Sequence, residues 1–140
     1  FTTQMQNEVG SVGAQVNGRI HFGTNDSGFT PGDRLSLTGW AAYNLNDAFS
    51  ISGRLAYETW GAIEGFDPEL DPDRDPSHDG FFAEGSLVTI PVGINFVMPE
   101  GSPLAGHRLA LEYIHPVDQD FEGPQLGFSK GLVVGWQVVF

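Results

Sequence analysis

The sequence predicts an all-β chain of antiparallel strands forming a transmembrane β-barrel, with about six strands here as part of a larger barrel. Three observations carry this expectation. Apolar and polar residues alternate with a period of two along most of the chain. Five of the six alternating segments can be drawn about 11 residues long, close to the 9–11 a tilted membrane-crossing strand needs and longer than the usual five or six of soluble strands. The connections between segments alternate between short and long, as in barrels with tight turns at one membrane surface and long loops at the other.

The first segment sets Val12, Ala14, Val16, Ile20 and Phe22 against Gln15, Asn17, Arg19 and His21. After the turn residues TNDSGFTPGD, Leu35, Leu37, Ala41, Tyr43 and Leu45 share a face opposite Arg34, Ser36, Thr38, Trp40 and Asn44. A tight reversal over Asn44 to Ala48 leads to Phe49, Ile51, Leu55 and Tyr57, alternating with Ser50, Ser52, Arg54 and Glu58. Beyond a long loop, Val88, Ile90, Val92, Ile94, Phe96 and Met98 form the cleanest apolar face, interrupted in the backbone sense by Pro91, where a bulge or a sheet edge is expected. Leu109, Leu111 and Tyr113 oppose Arg108, Ala110 and Glu112 in the shortest segment, which is expected to stop at His115-Pro116. Leu132, Val134, Trp136, Val138 and Phe140 complete the set opposite Gly131, Gly135 and Gln137. Residues 1–10 are polar and weakly patterned, so they read as a loop or strand remnant, leaving 11–140 as the six-stranded unit.

Tyr43, Phe49, Phe96, Trp136 and Phe140 fall toward the short-turn ends of the apolar faces, and Phe22, Tyr57, Tyr113 and Phe128 toward the long-loop ends. Two aromatic belts flanking aliphatic residues mark the two interfaces of a membrane. Arg19, Arg34, Arg54, Arg108, Glu58 and Glu112 all have polar-face parity. A soluble sandwich or lipocalin-like barrel also alternates, but it would turn its apolar faces inward.

Composition removes several classes. No window holds the roughly 20 apolar residues of a spanning helix. Six Lys and Arg against 18 Asp and Glu, a net charge of −12, leave no basic footprint for nucleic acid. The absence of Cys removes disulfide scaffolds and thiolate metal sites. Six strands fall short of the eight with which single-chain bacterial barrels begin, so Phe1 is expected to open a fragment whose wall is completed by upstream strands or other chains.

Two clusters are candidates for chemistry. Arg19, Thr38, Trp40, Arg54 and Glu58, counted back from the turns, are expected at similar depth on three adjacent strands as a lumen-lining constriction or an ion-pair network; Glu112 with Arg108 has the same status. The loop 62–84 holds eight of the 18 carboxylates, and Asp67, Asp71, Asp73, Asp75 and Asp79 alternate as in oxygen-rich Ca²⁺ loops. Pro76 stands where an EF-hand needs Gly, so a solvated acidic loop, kept extended or mobile by self-repulsion, is the rival reading, and diffuse bridging of lipopolysaccharide phosphates needs no defined site. No other cofactor is expected. His21 and His115 lie on opposite faces with no triad partners in view, so no enzyme activity is expected.

The ending GLVVGWQVVF resembles the C-terminal signal by which outer-membrane barrels are recognised for insertion, with Trp136, Val138 and Phe140 in its alternate positions. GAIEGFDPELDP from Gly61, PEG from Pro99, GHRLALE from Gly106, GPQL from Gly123 and the Gly135-Trp136-Gln137 triplet are similar to the C-terminal part of a proteobacterial barrel family labelled as transporters of the phenol-degradation meta pathway. The resemblance implies a bacterial outer-membrane location, with lipid, lipopolysaccharide and the barrel-assembly machinery as partners. The expected function is a passive or weakly selective channel for small, including aromatic, solutes. The rival is a structural or self-assembling outer-membrane β-protein without transport.

Overall fold

The computed structural model describes residues 1–65, 67, 69, 71 and 73–138. The chain is all-β, with strands β1 (Thr2–Gln6), β2 (Gly10–Arg19), β3 (Phe29–Thr30), β4 (Arg34–Asn44), β5 (Phe49–Trp60), β6 (Glu64–Gly65), β7 (Gly85–Val97), β8 (His107–Phe121) and β9 (Gly131–Val138). Seven of them form one sheet in the order β1-β2-β4-β5-β7-β8-β9, every pairing antiparallel. The count of six is therefore corrected to seven. The polar segment over residues 1–10 contains a paired strand, Thr2↔Gln15 to Gln6↔Ser11, extended by reciprocal 2.8 Å backbone hydrogen bonds between Phe1 and Val16. Its polar composition hid it, because backbone pairing asks nothing of side chains that face away from a core. The sheet is open: among the described residues β1 pairs only with β2 and β9 only with β8.

Asparagine builds the tight turns at one end. Asn7 Oδ1 accepts from the amides of Val9 and Gly10 at 2.9 and 3.0 Å, and Asn46 Oδ1 accepts from those of Ala48 and Phe49, both at 2.9 Å. Residues 20–33 and 61–84 form the long loops at the other end and are tied together by the β3–β6 ladder, with the Gly61 amide donating to the Asp33 carbonyl at 2.9 Å. The last two connections, 98–106 and 122–130, are equal in length, since β8 runs on to Phe121 and shortens the final loop.

Both prolines behave differently from the sequence expectation. β8 continues through Pro116 and is the longest strand, at 15 residues. Strand parity aims the Pro116 nitrogen toward β9, but the last β8–β9 pair is Ile114↔Gly131, so no ladder bond is lost there. At Pro91 there is neither a bulge nor an edge. The β5–β7 register is unbroken, and pairing is only absent between Gly53↔Val92 and Ala56↔Thr89, where Pro91 has no N–H to offer the Arg54 carbonyl. The irregularity lies in the neighbouring ladder, where Val88 pairs with Asp118 but Thr89 with Pro116, leaving Val117 as the extra residue.

In the middle strands the polar face is the more shielded of the two. No hydrophobic residue is buried among the described residues, and the buried positions are Thr89 and Pro91. Along β4, Ser36, Thr38, Trp40 and Ala42 are half-buried while Leu35, Leu37, Ala41 and Tyr43 are exposed. β5 repeats this with Ser50, Ser52 and Arg54 against Phe49, Ile51 and Leu55. Register carries the two faces across the sheet: Val16↔Leu37↔Tyr57↔Val88 on the apolar side, Gln15↔Thr38↔Ala56↔Thr89 on the polar side. Shielding of the polar residues fits a sheet curved toward that face, and among the described residues no second layer covers the apolar face.

Candidate functional site

The centre of the polar face is an ion pair between Arg54 of β5 and Glu112 of β8. These strands flank β7, so their backbones stand roughly 10 Å apart at the usual strand spacing. The pair closes because curvature tips side chains on this face together, and because the position between them is nearly bare: Glu112 lies opposite Gly93, and Arg54 opposite Pro91 by register. The Arg54 and Glu112 side chains are 39% and 25% exposed, so the pair is partly dehydrated. Arg54 Nε is buried with no hydrogen-bond partner among the described residues. On the other side, Trp40 pairs with Arg54 and with Gly13, and its ring lies over that glycine: a Cβ on Gly13 would stand 2.3 Å from Trp40 Cζ2. Gln15, Thr38, Trp40, Ser52, Arg54 and Glu112 thus line one depression.

Thr38, Trp40, Arg54 and Glu112 come together, whereas Arg19 and Glu58 do not join them. Arg19 pairs with Arg34, six residues along β4 from Trp40 and so roughly 20 Å away. Glu58 lies opposite Ser36, in a separate depression with Asn17, Arg19, Arg34 and Trp60 at the long-loop end. Counting from the turns gave the strands and the face correctly but placed these two at the wrong level. Glu112 takes Arg54 as its partner, not Arg108, which instead donates to Asn95 Oδ1 at 2.6 Å. Trp60 and Phe121 were missed. They share the polar face with rings 5.7 Å apart, and Trp60 has the even-number parity of Arg54 and Glu58, which is the signal that could have found it.

Among its described residues the acidic loop makes local turns. It contains 3-10 turns at Pro76–His78 and Gly80–Ala83. Asp71 Oδ1 accepts from the Asp73 amide at 3.1 Å, its carbonyl accepts from Arg74 and Asp75, and Asp67 Oδ1 accepts from the Glu69 amide at 2.9 Å. Carboxylates at alternate positions serve turn geometry here. Among the described residues, no three of His, Asp and Glu converge as a metal-ligand set around Asp67, Asp71, Asp73, Asp75 and Asp79. Of the C-terminal residues, Trp136 is exposed on the apolar face and donates from Nε1 to His107 Nδ1 at 2.9 Å, Val138 ends β9 opposite His107, and Phe140 lies outside the described residues. His21 is held against the Gly32 carbonyl and His115 stacks on Tyr113.

No family model, no curated protein and no solved structure matches this chain.

Proposed function

We propose that this chain forms part of the wall of a bacterial outer-membrane β-barrel, with its polar face lining a channel for small solutes and its apolar face against lipid. One observation carries the reading: the sheet shields its polar face and exposes its apolar one, with Ile90, Val92, Ile94, Leu111 and Val134 each 41–72% exposed. Water does not favour such an arrangement, whereas hydrocarbon does. The six charged side chains named above all lie on the polar face, and the charged residues of the apolar face, Asp118 and Asp120, sit at the long-loop end of β8. On β7 the apolar band from Val88 to Phe96 runs roughly 26 Å, or about 20 Å in height at the usual barrel tilt, near the ~25 Å band of outer-membrane barrels. The Phe49–Phe96 ring pair, 4.7 Å between centroids, and Trp136 lie at the short-turn end of this face, and Tyr57 toward the other.

In this reading lipid and lipopolysaccharide surround the sheet, the assembly machinery inserts it, and the Arg54–Glu112 pair narrows the channel. The open edges require further strands. Because β1 and β9 are separated by six antiparallel reversals, they run in the same direction, so a wholly antiparallel closure needs an odd number of added strands. Two copies of this sheet around a shared pore axis would meet in parallel seams. The same edges favour a second reading, a structural β-assembly joined edge to edge without transport. Planar-bilayer recordings of the full-length protein separate the two: discrete conductance steps support the channel, and membrane insertion without conductance supports the structural reading.

A further inference from the structure

The last row of the polar face at the long-loop end reads Arg19, Arg34, Trp60, Gly85, Phe121 across five consecutive strands. Arg19 and Arg34 are direct cross-strand partners, an arrangement of like charges that disfavours the sheet unless an anion offsets it. In a chain with six basic residues and 18 acidic ones, two are spent on facing each other. Neither forms an ion pair among the described residues; Glu58 lines the same depression but lies beyond ion-pair distance of both. The Arg34 guanidinium carbon is 5.9 Å from the Trp60 ring centroid, which holds the fork against an aromatic face. Trp60 and Phe121 meet over Gly85, where a Cβ would stand 2.8 Å from Phe121 Cδ1 and 3.1 Å from Trp60 Cζ2. A paired cation thus adjoins an apolar shelf, on a face whose strands carry four arginines against two glutamates while most of the acid of the chain sits in its loops.

We infer that this row is a binding site for a small organic carboxylate, its carboxylate spanning Arg19 and Arg34 and its apolar body resting on Trp60 and Phe121. Planar guanidinium forks match carboxylate geometry, and a ring or chain one bond away falls over the shelf. The inference rests on the polar face lining a channel, and it makes that channel favour organic anions despite the net charge of the chain. Glu58 lines the same depression and Glu84 and Glu122 flank the shelf, so the arginine pair supplies the anion preference of the site against nearby carboxylates.

The test uses full-length protein in detergent, titrated with benzoate and followed by tryptophan fluorescence, with benzyl alcohol and inorganic phosphate as controls. Saturable benzoate binding is expected, weakened about tenfold by Arg19→Gln or by Arg34→Gln, lost from the fluorescence signal in Trp60→Phe, and not shared by benzyl alcohol. Equal binding of benzyl alcohol, or benzoate affinity unchanged in both arginine variants, overturns the carboxylate assignment. Phosphate binding as tight as benzoate overturns the role of the shelf. In bilayers, Arg19→Gln is expected to shift the reversal potential in a potassium benzoate gradient toward cation preference. Intact binding without conductance removes the channel and leaves the site, whereas conductance with no benzoate effect removes the site and leaves the channel.

Discussion

Val92→Arg places a charge at the middle of the apolar face, and the sign of its effect depends on what that face touches. Val92 is 49% exposed and sits four residues from each end of the Val88 to Phe96 band. That is roughly 13 Å along the strand either way, or about 10 Å of depth at a 40° tilt. In a bilayer this is near mid-depth, where Arg costs about 2–4 kcal/mol, a shift of roughly 30- to 700-fold in the folding equilibrium. Phe96→Arg, at the band edge, costs about 0–1 kcal/mol for the charge, besides about 0.5–1.5 kcal/mol for the lost ring contact with Phe49. Thr38→Arg, on the polar face with Glu58 and Arg54 at its two diagonals across the β4–β5 pairing, meets one opposite and one like charge and stays within about 1 kcal/mol. Reversible urea unfolding of the full-length protein in lipid vesicles reads all three. If Val92→Arg is as neutral as Thr38→Arg, the apolar face is wet and the membrane reading falls; if Thr38→Arg is the costlier, the faces are reversed.

Three further outcomes follow from named contacts. Glu112→Ala leaves Arg54 unpaired on a partly dehydrated face and should destabilise by about 1–2 kcal/mol, with a coupling near 1 kcal/mol in a double-mutant cycle with Arg54→Met; additivity within about 0.3 kcal/mol means the pair is ornamental. Gly13→Val should displace the Trp40 ring, costing about 1–3 kcal/mol with a shifted emission maximum, while Gly53→Ala, which meets nothing within 4 Å, should be neutral or slightly stabilising. In the acidic loop, Asp71→Ala should speed proteolysis within 67–79 because it removes the cap of the Asp73 amide, and the wild-type cleavage rate should be the same in millimolar Ca²⁺ and in chelator; strong protection by Ca²⁺ points to ligands brought together only by the ion.

Period two was enough to fix the class of fold, the partition of faces and most strand lengths, because a pleated strand turns alternate side chains to opposite sides whatever lies around it. Val16, Leu37, Ile51, Ile90, Leu111 and Val134 share one face and Arg19, Ser36, Arg54, Asn95, Glu112 and Gln137 the other, as alternation alone predicts. What alternation cannot carry is the relation between strands. β1 escaped because its pairing is a backbone matter, and Pro116 looked like a stop because a sequence does not reveal which side of a strand lacks a neighbour. The site depended on register for the same reason. Arg54 meets Glu112 rather than Glu58 because pairing sets them two strands apart across Gly93 and curvature then closes the gap, while Glu58, four residues along the same strand, is carried out of reach. The Asp spacing of the acidic loop shows the limit from the other side: the same periodic carboxylates can ligate an ion or cap their own amides, and only the backbone path between them decides which.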